Sequence, residues 1–331
     1  RTLSQWMKFA NSLRLRLAIR VSMSAPDLAR AEVAKAMDAT AGGVLESADE
    51  TVAVSTESGY KNPLGTVNEG WGEVFMGATM ESVLVGYNDP RLIKYYSKAE
   101  GGDIKDEKGN LIIAERNKIA GTYKGVPQGT GVTVKDENRY RLHSKSTITK
   151  QTDAILMTAA EVWFLRAEAA LRGFTSENVK DCYEKGITVS CQQWGVNVGD
   201  YLTSDATPSD YVDAFEAKYD VKALIKVTPK WDGGASPEEQ LERILTQKWI
   251  ACYPEGYEAW TEQRRTGYPQ LFKVFVNNSG GAIDTNIRIR RLPYPSDIQK
   301  NNPTQYSALK KALGGEDNGG TRLWWDTGRN F

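Results

Sequence analysis

The strongest hydrophobic periodicity in the chain lies between Ser236 and Pro269. Leu241, Ile244, Leu245, Trp249 and Cys252 recur at the spacing of one helical face. Ser236-Pro237-Glu238-Glu239 supplies a helix start: Ser236 can cap, Pro237 suits the first helical position, and Glu239 can close a capping box. Pro254 and Gly256 interrupt the run. A second amphipathic segment then carries Tyr257, Trp260 and Arg264 and stops at Gly267 and Pro269. The pattern predicts a helical hairpin over 236–268, with both tryptophans on buried faces.

Other segments carry the same signal. A helix is predicted over 3–22, with Trp6, Phe9, Leu13 and Leu17 apolar and Arg14, Arg16 and Arg20 between them, placed to pair with carboxylates across a helical layer. A second begins near Pro26, carries Leu28, Ala31, Ala34 and Met37, and ends at Gly42-Gly43. Over 151–173 the pattern predicts a helix capped by Thr152 or Asp153. The next starts at Thr175 or Ser176 and presents Val179, Tyr183, Ile187 and Val189. Small residues at Ala160, Ala167 and Ala170 beside Trp163, Phe164 and Tyr183 give 151–195 the look of a tetratricopeptide-like helix pair. Short helices are expected over 207–219 and from Asn302-Pro303, and the apolar tail Leu323 to Asp326 is expected to dock on the body. These patterns predict a mainly α fold of helical hairpins.

Between them, 46–150 is loop-rich, with helical periodicity only around 77–85 and 89–96 and a β-hairpin tip at 103–110 whose acidic spacing does not fit an EF-hand. Long irregular loops on an ordered scaffold usually carry function. Tyr60, Asn62, Asn68, Trp71 and Tyr123 lie here, aromatic faces beside amides, the residue types that stack on sugar rings and bond their hydroxyls.

Composition narrows the classes. Lys plus Arg and Asp plus Glu both total 42 in 331 residues, so no global basic field exists to attract nucleic acid or anionic lipid. Nine Trp and fifteen Tyr are many for a chain of mean hydropathy −0.49. No apolar run approaches the roughly 20 residues of a membrane helix. The chain opens at Arg1 in what reads as helix interior, so a preceding segment is expected. Cys182, Cys191 and Cys252 match no metal spacing. On one helix, Cys182 and Cys191 would lie about 13 Å apart, too far for a disulfide.

Catalytic chemistry is thinly represented. His143 is the single histidine, and no nucleophile elbow or phosphate-binding loop is present, so neither metal nor cofactor is expected. Glu161 and Glu168 share a helix face and could serve as a glycosidase pair. The competing reading is ion pairing, for which Glu168–Arg172 and Glu262–Arg265 have helical spacing.

Several stretches resemble the SusD/RagB family of nutrient-binding outer-membrane lipoproteins: Trp6 to Arg20, Asn88-Asp89-Pro90-Arg91-Leu92, Tyr123 to Gly129, Ala159 to Gly173, Ile244 to Pro269, Arg290 to Pro295 and Trp324-Trp325-Asp326. They span almost the whole chain in family order, 1–331 reading as one domain that lacks the family's N-terminal part. The resemblance implies a SusD-like helical fold without catalysis. It also implies a lipid anchor outside this chain at the cell surface, and a TonB-dependent SusC-like transporter that receives an oligosaccharide or, in some members, a peptide.

Overall fold

The computed structural model describes residues 2–114, 119–131 and 138–331. Helix α1 (Leu3–Arg20) starts at a capping box between Thr2 and Gln5, and α2 (Pro26–Ala36) folds back against it. The buried face of α1 is Asn11, Ser12, Leu15, Ala18 and Ile19, not the one expected: Trp6 is 55% and Leu17 54% exposed. Polar groups explain the rotation. Asn11 donates to the carbonyls of Ala41 and Gly43, and Ser12 accepts from the Leu45 amide, so this face binds the following loop as well as the core. On α2 the buried residues are likewise Ala29, Val33 and Ala36, with Leu28 exposed.

The chain then enters strand β1 (Val52–Val54), which pairs antiparallel with β4 (Ala154–Met157), Val52 opposite Met157. The helix expected from residue 151 therefore begins later: α6 (Ala159–Leu171) is capped by Thr158, whose hydroxyl accepts from the Glu161 amide. Between these strands lie α3 (Pro63–Trp71), α4 (Ala78–Gly86) and α5 (Leu92–Tyr95). The hairpin β2 (Ile104–Lys105) with β3 (Leu111–Ile113) follows, Asp106 closing its tip by accepting from the Lys108 and Asn110 amides.

Helix α7 (Val179–Gln193), capped by Asn178, makes the most extensive helix–helix contact of the fold with α6. Gly186 allows it: a Cβ there would sit 2.8 Å from the Phe164 ring. Cys182 and Cys191 are buried thiols on this helix. No α-helix forms over 207–219; only a single 3-10 turn, Ala217–Tyr219, stands at its end. Tyr211 instead bridges Val221, and the Ser209 amide donates to Ser82, drawn in because Gly86 lies flush against Pro208 and Ser209. Helices α8 (Pro237–Ala251) and α9 (Gly256–Thr266) follow the sequence reading, including the Ser236–Glu239 capping box. Helix α10 (Ser296–Asn301) precedes α11 (Pro303–Leu313), which Asn302 caps. The described residues are thus mainly helical, around a core drawn chiefly from α1, α2, α4, α6, α7 and α8.

Candidate ligand surface

The two carboxylates considered for hydrolysis are committed to the interior. Glu161 accepts from Arg16 at 2.6 Å, and Glu168 is bridged at 2.7 Å by both Arg172 and Arg265. Lys248, 1% exposed, lies 3.0 Å from Glu258 and 3.2 Å from Glu262, and Arg20 reaches Glu258 at 2.6 Å. Burial alone would raise the Glu262 carboxyl, but Arg265 and Lys248 outweigh it and hold it well below the ordinary range. Burial is likewise overcome at Glu168 by Arg265 and Arg172. The network ties α1, α6, α8 and α9 together and leaves neither candidate carboxylate free to act on a substrate.

The histidine is equally internal. His143 is 1% exposed, its ring packs edge-on against Tyr140 and obliquely against Phe215, and neither ring nitrogen has a protein partner. Burial, with Lys124 nearby, pushes its pKa down to about 3, so the ring is neutral at physiological pH.

Four of the five predicted contact residues come together on one segment. Asn62 caps α3, accepting from the Leu64 amide at 2.9 Å and donating to the Thr152 carbonyl at 3.0 Å. Asn68 donates to the carbonyls of Ser146 and Ile148 at 2.7 and 2.9 Å. Gly65 lets the helix lie flat on this strip, since a Cβ would fall 2.1 Å from the Thr149 backbone. Both amide nitrogens thus bind the fold: Asn62 is a buried helix cap, and the Asn68 amide nitrogen is occupied while its Oδ1 has no protein partner. The aromatics at the two ends of α3 are free, Tyr60 39% and Trp71 61% exposed. Nine residues of helix, about 13 Å, separate the cap from Trp71. Tyr123 is apart from this segment. It is half-buried and lines a cleft of about 800 Å³ with Asn88, Ile93, Lys94 and Asn197.

The sequence reading missed a further concavity. Trp249 and Trp260 are half-buried, flanking a cleft of about 710 Å³ closed by Phe272, Val276 and Ile289. Arg264 stacks 3.6 Å from the Trp260 ring centre, and the Trp260 Nε1 donates to the Ile289 carbonyl. A signal existed. Arg265 has Glu262 one turn back, whereas Arg264 has Trp260 and Tyr268 four residues either side and no acid at helical spacing. Trp325 of the tail docks here against Arg20 and Arg264, and Asp326 pairs with Arg290 and Arg322, while Trp324 stays 67% exposed.

The geometry is that of a mainly helical scaffold with aromatic residues exposed at the ends of α3, and with Glu161, Glu168, Glu258 and Glu262 paired to basic side chains inside. Residues 1–326 match the family described as SusD-like, SusD and RagB outer-membrane lipoproteins, and the chain belongs to that family. A SusD homologue from Bacteroides vulgatus is 53% identical, with a TM-score of 0.88 over 100% of this chain and 64% of its own. A chitin-binding SusD homologue from Flavobacterium johnsoniae is 37% identical, with a TM-score of 0.87 over 98% of this chain and 64% of its own. A SusD homologue from Bacteroides thetaiotaomicron is 34% identical, with a TM-score of 0.86 over 99% of this chain and 67% of its own. The chain therefore spans about two thirds of the length of these relatives. No protein of curated function matches it. Among the described residues, no helix is long and apolar enough to cross a membrane.

Proposed function

We propose that the chain is part of a cell-surface glycan-binding protein, a lipoprotein of the outer membrane that captures an oligosaccharide and passes it to a TonB-dependent SusC-like transporter without chemical change. The observation that carries this reading is the α3 segment: a helix clamped by the Asn62 and Asn68 amides, with Trp71 and Tyr60 left open to solvent at its ends. Rigid aromatic faces stack on sugar rings at little entropic cost. Family membership and the chitin-binding relative support a polysaccharide ligand. The neutralised acids at Glu161 and Glu168 support binding rather than turnover.

Binding through one or two stacked rings is expected to be weak, micromolar to millimolar, roughly 4–8 kcal/mol. Affinity electrophoresis against chitin oligosaccharides and other neutral glycans tests it. Trp71→Ala is expected to abolish retardation, with Tyr60→Ala reducing it. Unchanged binding in Trp71→Ala removes α3 from the site, and binding of oligopeptides but no glycan replaces the ligand class. Co-purification of a TonB-dependent transporter from native membranes in mild detergent tests the partner.

A further inference from the structure

Gln263, Leu271 and Arg288 line both the tryptophan-flanked cleft and a smaller cavity of about 320 Å³ behind α9. The wall of that cavity includes Arg264, Arg265, Arg288, Arg290 and Arg322. Their charges are unequally met. Arg265 is neutralised by Glu168 and Glu262, and Asp326 is shared between Arg290 and Arg322. Among the described residues, Arg264 and Arg288 have no carboxylate partner.

Both are nevertheless fixed in place. Arg264, 7% exposed, donates through Nη1 to the Arg290 carbonyl at 2.6 Å and through Nη2 to the Thr261 hydroxyl at 3.0 Å. Its Nε is buried with no partner. Arg288 donates to Gln128 Oε1 at 2.9 Å and to the Phe272 carbonyl. It does so from a backbone φ of +63°, a conformation that a residue with a Cβ adopts only when the surroundings impose it.

We propose that this cavity is an oxyanion site that takes the carboxylate or sulfate group of an acidic sugar. A buried guanidinium without a counterion, as at Arg264, is costly, and an anion that brings its own charge removes the cost; Arg288 is half-buried beside it. Planar, always-charged guanidinium groups suit a two-oxygen anion better than a lone ammonium would. The C-terminal end of α9 also borders the cavity at Thr266 and Gly267, but its partial charge of roughly −0.5 is smaller than that of two uncompensated arginines. Burial, together with Arg20 and Arg290, brings Arg264 down to about 10 against the weaker pull of Asp326 and Glu258, and burial lowers Arg288. The adjoining cleft offers Trp249 and Trp260 to the face of the ring that carries the acid. The anion site stands on these arginines alone; its assignment to a sugar rests on the glycan-binding reading.

Calorimetric titration of the unaltered chain with sodium sulfate, sodium glucuronate and glucose at constant ionic strength tests it. Saturable binding of sulfate and of glucuronate, competing with each other, with none of glucose, is the expected result. Arg288→Gln is expected to weaken both anions about ten-fold or more, as loss of a charge-assisted contact does. Arg322→Gln, in the same wall on a side chain 39% exposed and already paired with Asp326, is expected to weaken both anions less than Arg288→Gln does. Lys108→Gln, on the solvent side of the β2–β3 tip, is expected to change nothing. Absence of saturable anion binding, or binding in folded Arg288→Gln equal to that of the unaltered chain, overturns the site. Sulfate binding without glucuronate binding overturns the sugar assignment. A neutral chitin oligosaccharide titrated in parallel reports on the α3 surface, so failure of one reading is visible apart from failure of the other.

Discussion

Glu255 carries one carboxylate oxygen, Oε1, that accepts from the Glu258 amide at 3.1 Å and caps α9, and a second, Oε2, that is buried without a partner. Burial raises its pKa, the nearby Glu161 adds to this, and Arg16 opposes it only in part, leaving it at about 7 against an ordinary 4.5. A folded-state pKa above the unfolded one means that the native protein keeps a proton the unfolded chain has already lost. The resulting stability is complete below 4.5 and is lost as pH rises through about 7. Glu255→Gln keeps the capping oxygen and removes the titration. Its urea midpoint is expected to match the unaltered protein at about pH 5 and to exceed it at about pH 8. A midpoint difference that does not vary with pH would show that Oε2 is already relieved by solvent. His143 illustrates the complementary limit of reading residues from sequence. Its neighbours Arg141, Lys145 and the surrounding polar residues suggest a solvated loop, yet the ring is buried against Tyr140 and Phe215, and Phe215 is 72 residues away.

Elements were legible where the signals that start, continue and stop them are local. The α8–α9 hairpin has its capping box, apolar face, interrupting proline and left-handed Gly267 all within its own sequence, and it folds as read. β4 lies in a stretch whose pattern predicts helix, because its partner, β1, lies about a hundred residues upstream and an apolar run of four has no period of its own. The 207–219 segment shortens to the 3-10 turn at Ala217–Tyr219 for a related reason: the close approach of Gly86 to Pro208 and Ser209 holds its first part extended against the neighbouring helix. In the candidate site the exposed aromatics at the ends of α3 were readable by type, whereas the commitment of both asparagines was not, because their partners lie 78 to 90 residues on. That commitment gives the element its own prediction. Gly65→Ala places a methyl group where the Thr149 backbone already stands, so α3 must lift away from its strip. The expected cost is about 1–3 kcal/mol, with faster proteolysis around α3 and weaker neutral-glycan binding even though Trp71 is intact. Trp260→Ala tests the hairpin. Loss of a half-buried ring that carries Arg264 on its face and bonds the Ile289 carbonyl is expected to cost roughly 2–3 kcal/mol in denaturant unfolding.

Across the whole molecule, the layers are joined by charge as well as by apolar packing. Arg265 spans two of them, holding Glu168 of α6 at 2.7 Å and Glu262 of α9 at 2.6 Å, all three almost fully buried. Removing one member of such a network costs more than the network contributes, because the remaining charges stay buried without it. Arg265→Met replaces the cation with a flexible apolar chain and leaves Glu168 with Arg172 and Glu262 with Lys248. The expected loss is about 3–5 kcal/mol at neutral pH. The sign of its pH dependence follows from the carboxyls. Burial would raise both, and Arg265 is the largest of the influences holding them below 4.5 in the folded protein. Their stabilisation is therefore present above 4.5 and is lost as pH falls through their folded-state values. Without Arg265 that depression shrinks, so the variant gains less from rising pH than the unaltered protein does. The difference in unfolding free energy between the two is expected to be largest at pH 7 and to narrow towards about pH 3. Were Arg265 important only for filling space between α6 and α9, the difference would be the same at both ends of that range, and urea titrations at the two pH values separate the cases.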